Sequence, residues 1–235
     1  MVSITNIIKD WFNPWRAYLA EFIGTFVFVF VSCGAVLSYI FYGEIGVAGV
    51  AVASGFSYAT MMYATVHISG GHLNPAVTLA SWLAQKTSGA TAIFYVCAQI
   101  VASFAAAGLL FYIFGQEAAE FSLGGPTVGT GIDTSRALIV EIALSAILVF
   151  GFFATMVDRR GPTSFGPLVM GLVVGASWLV ALPLSGASLN PARAVGPAGV
   201  SQVYDSLAVA VIGPLTGSLV GVVYDWVFLR KIKKG

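Results

Sequence analysis

Two asparagine residues, each followed by proline and alanine, interrupt long apolar stretches of the sequence. They lie in SGGHLNPAVT, as Asn74, Pro75 and Ala76, and in SGASLNPARA, as Asn190, Pro191 and Ala192. Asn is a favoured N-cap residue and Pro fits the first helical turn, so each triplet predicts the start of a helix. The Asn oxygen can accept from its own helix while its NH2 group donates to a polar molecule. Two plain N-caps are the alternative interpretation.

Arg193 follows the second triplet at a position where the first copy has Val77. An arginine in so apolar a sequence needs water or an ionic partner. At the mouth of a pore it would donate hydrogen bonds and repel cations through its permanent charge. A structural salt bridge is the alternative. The difference between the two copies predicts two unlike pore mouths.

The composition indicates a membrane protein, because 58% of the 235 residues are hydrophobic and only 9% are charged, against about 25% in soluble domains. Six apolar runs are close to the ~20 residues that a membrane-spanning helix needs. They cover approximately 18–40, 47–66, 91–114, 137–156, 165–182 and 207–229. The apolar pieces after Asn74 and Asn190 hold about ten residues each, too few to cross, and predict re-entrant half-helices. The predicted fold class is an all-α polytopic membrane protein with six transmembrane helices and two half-helices.

The two halves of the chain, about 16–115 and about 136–230, are repeats within a single domain of residues 1–235. Glu21 matches Glu141 and Gly55 matches Gly171, besides the two triplets. Each half has an odd number of spans, so the internal repeat is inverted. Inverted repeats place the functional site of a membrane protein at the midplane. The positive N-terminal ends of both half-helices would meet there and repel a cation.

The residues before each Asn are Gly-rich and are expected to be extended, lining a water-filled cavity at membrane depth. Their carbonyl oxygens would form a row of acceptors, with a plain turn as the alternative. These pore carbonyls belong to Gly70, Gly71, His72, Gly186 and Ser188. A water that also accepts from both Asn amides would have its oxygen fixed and could not readily relay a proton.

Glu21 and Glu141 lie inside the predicted first and fourth spans. Acidic residues inside a membrane indicate function by default, and a proton relay in a transporter is one interpretation. In the other, each carboxylate accepts hydrogen bonds from the re-entrant loop of its own half. The matched positions favour this supporting role.

The charged residues predict topology rather than chemistry. A net charge of +1 predicts no nucleic-acid partner. Basic residues collect at the chain ends and in alternate loops, so the positive-inside rule places both termini in the cytoplasm of a cell-membrane protein. The midplane offers no Ser-His-Asp set and no metal-ligand cluster, so the sequence predicts neither an enzyme nor a metal site nor a cofactor.

From Arg16 to Arg230 the sequence resembles the aquaporin family of major intrinsic proteins. The matching segments are AEFIGTFVFVF, HISGGHLNPAVT, DRR, SGASLNPAR and IGP. The resemblance implies a passive transmembrane water channel that excludes protons and ions. It also implies a homotetramer in the lipid bilayer, with one pore in each subunit.

The resemblance also assigns the narrowest point of the pore, the selectivity filter, to four positions counted from the triplets. These are Ser54, Trp178, Ala187 and Arg193. The set differs from the family's water pattern of Phe, His, a small residue or Cys, and Arg, and from its glycerol pattern of Trp, Gly, Phe and Arg. Water is the favoured solute, and glycerol or another small neutral solute is the alternative. A secondary transporter, which shares inverted repeats and broken helices, is the rival class.

Overall fold

Six long helices dominate the computed structural model, which describes residues 14–230. All six are long and apolar enough to cross a membrane, which confirms the predicted spans. Their bounds, as spans 1 to 6, are Trp15–Tyr42, Gly46–Ser69, Gly89–Phe114, Thr134–Val157, Thr163–Ser185 and Leu207–Leu229. The two chain ends, for which the charges predict a cytoplasmic location, lie outside the described residues. The protein is a multi-pass helical membrane protein.

Spans 4, 5 and 6 change helix type along their length. Their segments are Thr134–Phe152 (α) and Phe153–Val157 (π), Thr163–Phe165 (3₁₀) and Gly166–Ser185 (α), and Leu207–Gly217 (α), Val220–Tyr224 (α) and Asp225–Leu229 (π). Pro214 cannot donate a backbone hydrogen bond, which weakens span 6 just before its break. The inner ends of spans 4 and 6 lie together: Tyr224 Oη donates to Asp158 Oδ2 at 3.2 Å, and Arg160 Nη2 donates to Phe228 O at 2.8 Å.

Two short helices enter the molecule without crossing it. The first half-helix, Pro75–Leu83, has 9 residues, and the second, Pro191–Ser201, has 11. At ~1.5 Å per residue they are about 14 and 17 Å long, roughly half of a ~30 Å hydrocarbon core. The preceding Asn caps each one, since its side chain accepts from the backbone N–H two residues later. These are the two re-entrant half-helices that the sequence predicts.

The segment between spans 3 and 4 defines what we call the outer side of the molecule; the other side is the inner side. This segment contains a short helix at Gln116–Glu120 and a 3₁₀ turn at Ser122–Gly124. Leu123 is fully buried, and Gly129 N donates to Leu184 O at 3.0 Å. The segment therefore folds into the outer mouth instead of merely connecting the halves.

Spans 2 and 5 approach each other until their backbones touch. A Cβ atom on Gly55 would lie 2.6 Å from Gly171 O, and one on Gly171 would lie 2.5 Å from Gly55 O. Small residues at such positions are typical of close helix contacts in membranes. This contact joins the two halves of the chain.

Candidate pore site

The two half-helices meet with their N-termini facing each other at Asn74 and Asn190. Asn74 Nδ2 donates to Leu189 O at 2.8 Å, and Asn190 Nδ2 donates to Leu73 O at 2.8 Å. Each Asn is therefore bonded to the residue that precedes the other Asn. Both side chains are buried. The positive ends of both half-helix dipoles are directed at this Asn junction.

The Asn amides are less free than the sequence analysis expects, because one N–H of each NH2 group is used in this exchange. An amide NH2 has two N–H donors, so one N–H per Asn is left for a further acceptor. The crossing bonds form because the carbonyls of Leu73 and Leu189 belong to buried, non-helical backbone, where an unpaired group is costly. The expected pair of donors is thus reduced to one N–H from each side.

The residues before each Asn are non-helical, but they are not extended as expected. Three positions in each copy have left-handed φ angles: Gly70 (88°), Gly71 (63°) and Leu73 (51°), and Gly186 (79°), Ala187 (53°) and Leu189 (50°). Such a φ in a non-glycine residue costs on the order of 1–3 kcal/mol. Left-handed residues in such a loop can turn neighbouring N–H groups to one side and form a concave site for an anion. The backbone adopts this strain because a carboxylate occupies the site.

In the first half, that carboxylate belongs to Glu21. Its oxygens accept from Ser69 Oγ at 2.7 Å, His72 N at 2.9 Å and Leu73 N at 2.6 Å. Gln99 Nε2, from span 3, donates to it at 2.8 Å. Glu21 is fully buried. Four donors held by three elements converge on this side chain, which therefore ties span 1 to the first re-entrant loop.

In the second half, Glu141 repeats the arrangement. It accepts from Ser185 Oγ at 2.5 Å, Ser188 N at 2.9 Å and Leu189 N at 2.8 Å. The position that matches Gln99 is Pro214, which has no side-chain donor. Both carboxyl groups are thus engaged by fixed donors of their own re-entrant loop, as a supporting role requires.

Two of the predicted pore carbonyls accept from protein donors. Tyr58 Oη donates to His72 O at 3.1 Å, and Arg193 Nη1 donates to Gly186 O at 3.1 Å. Two carbonyl oxygens of the expected row of acceptors therefore already accept hydrogen bonds from the protein itself. A carbonyl oxygen has two lone pairs, so each can still accept from a solute.

The predicted filter residues lie on the outer side of the Asn junction and are all fully buried. The Arg193 guanidinium carbon lies 4.3 Å from the centroid of the Trp178 ring. Ser54 adjoins Gly55 at the contact between spans 2 and 5, and Ala187 follows the Gly186 carbonyl that Arg193 binds. We refer to these four residues as the outer constriction.

Carbonyl oxygens hold Arg193 in this position. Nη1 donates to Gly186 O and Nη2 donates to Gly124 O, both at 3.1 Å. Within residues 14–230, its hydrogen-bond partners are thus backbone groups of the second re-entrant loop and of the outer segment, and not a carboxylate. Two buried N–H donors have no partner in this part of the chain, Trp178 Nε1 and Arg193 Nε. A solute in the constriction would meet hydrogen-bond donors.

Sequence reasoning missed a polar face of span 3 that supports both half-helices. Tyr95 Oη donates to Ser69 O at 2.7 Å, and Ser103 Oγ donates to Ala192 O. Gln99 lies between them, and its Nε2 donates to Glu21 at 2.8 Å and to Thr78 of the first half-helix at 3.1 Å. Tyr95, Gln99 and Ser103 recur every four residues, which is the spacing of one helix face. That spacing of polar residues in an apolar span could have identified them.

A cavity opens on each side of the site. The outer one has a volume of about 390 Å³ and the inner one about 380 Å³. The outer lining includes Glu120, Gly186 and Asp205; the inner lining includes His72, Lys86 and Arg159. The approaches to the site therefore differ in charge, acidic outside and basic inside.

Three features define a class of membrane protein with one polar site at the junction of two repeats. They are the inverted halves, the two half-helices that meet head to head, and a cavity on either side. The family model for the major intrinsic protein matches residues 8–224. The chain belongs to the major intrinsic protein family. Membership of this family indicates a channel rather than an enzyme.

Relatives of this chain include plant proteins of similar length. It is 40% identical over 227 residues to "Aquaporin TIP4-4" of Zea mays, covering 92% of this chain and 88% of the relative. It is 37% identical over 225 residues to "Aquaporin TIP2-1" of Arabidopsis thaliana, covering 91% and 88%. The X-ray structure of the aquaglyceroporin from Plasmodium falciparum has the same fold, with a TM-score of 0.81 at 21% identity over 92% of this chain and 97% of that one.

Proposed function

We propose that the protein is a passive transmembrane water channel that excludes protons and ions. The observation that carries this proposal is the Asn junction, where Asn74 and Asn190 each keep one N–H for a further acceptor. A water that accepts from both has its two lone pairs occupied, so it cannot accept a proton from the next water. The names of the relatives, which are aquaporins, support the same function.

Ions are excluded by charge and by the cost of dehydration. A cation in the constriction would meet the Arg193 guanidinium and then the positive ends of two half-helices. Any ion would also have to give up its water at a site whose side chains are fully buried, and a bare ion in such surroundings is very costly. A small neutral molecule meets neither barrier.

The proposal gives each group of site residues a role. The junction consists of Asn74, Pro75, Ala76, Asn190, Pro191 and Ala192, and the filter consists of Ser54, Trp178, Ala187 and Arg193. The backbone carbonyls that accept from the solute belong to Gly70, Gly71, His72, Gly186 and Ser188. The re-entrant loops are supported by Glu21 and Glu141. We further propose one channel domain over residues 1–235 and a homotetramer with one pore per subunit. Both termini lie in the cytoplasm, and the protein lies in the cell membrane.

Facilitated passage of glycerol or another small neutral solute is the second candidate. Ser54 favours it, because a small side chain lies where the water pattern has an aromatic ring. The solved structure with the same fold is that of an aquaglyceroporin, which is compatible with this candidate. The contact between Trp178 and Arg193 favours water as the solute, because the large indole ring occupies space beside the guanidinium.

Stopped-flow light scattering on proteoliposomes tests the function. We expect osmotic water flow well above that of empty vesicles, proportional to the osmotic difference, without saturation and with a low activation energy. A pH-sensitive dye inside the same vesicles should report no added proton flux. Water flow equal to that of empty vesicles, from correctly folded protein, would refute the proposal; flux that saturates and requires an ion gradient would favour a transporter.

A further inference from the structure

The second half-helix contains an internal proline that the first half-helix lacks. This proline is Pro197, and the matching residue of the first half-helix is Ser81. Proline has no N–H to donate to the carbonyl four residues earlier, and it disfavours the helical conformation of the residue before it. The second half-helix is therefore weakened where Gly196 meets Pro197.

A side chain from span 3 bridges two backbone groups of the half-helix beside this proline. Ser103 Oγ donates to Ala192 O and accepts from Gly196 N at 3.1 Å. Ala192 O and Gly196 N are four residues apart, which is the pair that an α-helix joins directly. The hydroxyl of another helix thus lies at one step of the backbone ladder of the second half-helix.

The absence of a side chain at Gly196 allows span 3 to approach this closely. A Cβ atom on Gly196 would overlap with Oγ and with the backbone of Ser103. Both residues are buried, and a buried backbone group that loses its partner is costly. Because span 3 belongs to the first repeat, this contact joins the second half-helix to the other half of the chain.

The bridged residue Ala192 also carries the cap of the half-helix. Ala192 N donates to Asn190 Oδ1 at 3.0 Å, while Ala192 O accepts from Ser103. Asn190 Nδ2 in turn donates to Leu73 O at 2.8 Å. One residue therefore connects the Ser103 hydroxyl to the amide group of the Asn junction.

The first half-helix is held in a different way. Ser218, the repeat equivalent of Ser103, donates to Leu215 O of its own span at 2.6 Å. The first half-helix instead accepts from span 3 at Thr78, where Gln99 Nε2 donates to Thr78 Oγ1 at 3.1 Å. The bridge at Ser103 therefore accompanies the proline of the second half-helix and is not a symmetric feature of the repeats.

We propose that Ser103 is a positioning residue of the pore, whose hydroxyl compensates for Pro197 and holds Ala192 so that Asn190 keeps its remaining N–H directed at the solute. This rests on the proposed function, in which that N–H binds water. The role requires a hydroxyl, because the group must donate to one backbone group and accept from another. Loss of the hydroxyl should loosen the Asn190 side of the junction and leave the Asn74 side in place.

The test compares wild type, Ser103→Ala and Ser103→Thr by two measurements. Hydrogen–deuterium exchange in detergent reports the opening of residues 191–198, and dye-loaded proteoliposomes report the ratio of proton flux to water flux. In Ser103→Ala we expect both the exchange rate of this segment and the flux ratio to rise by roughly fivefold, the scale of one buried hydrogen bond. Ser103→Thr retains the hydroxyl and should behave as wild type does.

Ser218→Ala is the matched control, because it removes an equally buried hydroxyl at the repeat-equivalent position. It should leave both the exchange of residues 191–198 and the flux ratio unchanged. If Ser103→Ala does not fold, Ser103→Cys replaces it, since a thiol is only a weak donor, and the same rise is expected.

The outcomes separate the role of Ser103 from the function itself. Unchanged exchange and an unchanged flux ratio in the folded variant that lacks the hydroxyl would overturn the role of Ser103. An equal rise in Ser218→Ala, or a rise in Ser103→Thr as large as in Ser103→Ala, would overturn it too. Wild type that passes no water would overturn the proposed function alone, because the exchange measurement does not require a conducting pore.

Discussion

The outer constriction and the matching positions on the inner side show how two repeats of the same arrangement can carry very different side chains. Matching the two repeats pairs Ser54 with Met170, Trp178 with Met62, and Arg193 with Val77. All six are fully buried. The inner set is apolar, and a Cβ on Gly71 would lie 3.1 Å from Met62 Cγ. The outer set instead offers a guanidinium and two unpartnered N–H donors.

The parts that the halves share are those that build the junction. Glu21 and Glu141 bind their loops through equivalent atoms, and the two Asn residues exchange equivalent bonds. The parts that differ lie toward the mouths. Symmetric positions thus support the fold, and the proposed function assigns the selection of solutes to the asymmetric positions of the outer side.

The largest expected effect is the loss of a loop-supporting carboxyl group. Glu21→Ala would remove the acceptor of four donors and Glu141→Ala that of three, at roughly 1–3 kcal/mol for each buried donor left unpaired. We expect melting temperatures in detergent, followed by circular dichroism, to fall by roughly 10 °C or more. Glu→Gln at each site keeps one acceptor oxygen and is the milder control. A large loss in one half only would contradict the equivalence of the two halves.

The second prediction makes the outer constriction resemble the inner one. Arg193→Val removes the fixed positive charge, so we expect proton or cation leakage to rise by about tenfold or more, since ~1.4 kcal/mol off a barrier is a factor of ten. Dye-loaded proteoliposomes under a voltage or pH gradient measure it. Val77→Leu, at the matching inner position, should leave ion exclusion unchanged. Equal leakage from both variants, or none from Arg193→Val, would mean that selection is not confined to the outer side.

The third prediction moves the aromatic ring across the pore. In a Trp178→Ala background, Ser54→Phe should lower glycerol permeability several-fold and water permeability less, because the ring narrows the constriction from span 2 instead of span 5. Stopped-flow measurements of both solutes test this. The same single change in wild type should reduce water flow. Unaltered glycerol permeability in the double variant would show that Ser54 does not line the constriction.

The smallest effect concerns the inner end of the first half-helix. Lys86 Nζ lies 2.6 Å from Asp225 Oδ1, which ties this end to span 6. Lys86 is partly exposed and Asp225 keeps its contact with Arg230. We expect Lys86→Ala to cost about 1 kcal/mol or less, seen as a small fall in melting temperature with unchanged solute selectivity. A change in the glycerol-to-water ratio would show that the inner mouth also selects.

The sequence predicts the six spans and the half-helices well, because ~20-residue apolar runs and Asn-Pro caps are local signals. It does not predict the left-handed φ of Leu73 and Leu189, since that strain persists only where a carboxylate from a distant span binds the loop. The exchange of bonds between the Asn amides and the opposite Leu carbonyls is equally non-local. For the same reason, the stack of Trp178 on Arg193 depends on packing between span 5 and the second half-helix.

The central claim is that the solute path runs through the Asn junction and the outer constriction. A high-resolution experimental structure of the protein in a lipid bilayer, with ordered waters resolved, tests it most directly. We predict a single file of waters, one of them about 3 Å from both Asn74 Nδ2 and Asn190 Nδ2 and another beside Trp178 Nε1 or Arg193 Nε. A file of waters that bypasses the junction, or a junction that stays free of water beside a hydrated path elsewhere, would contradict the claim.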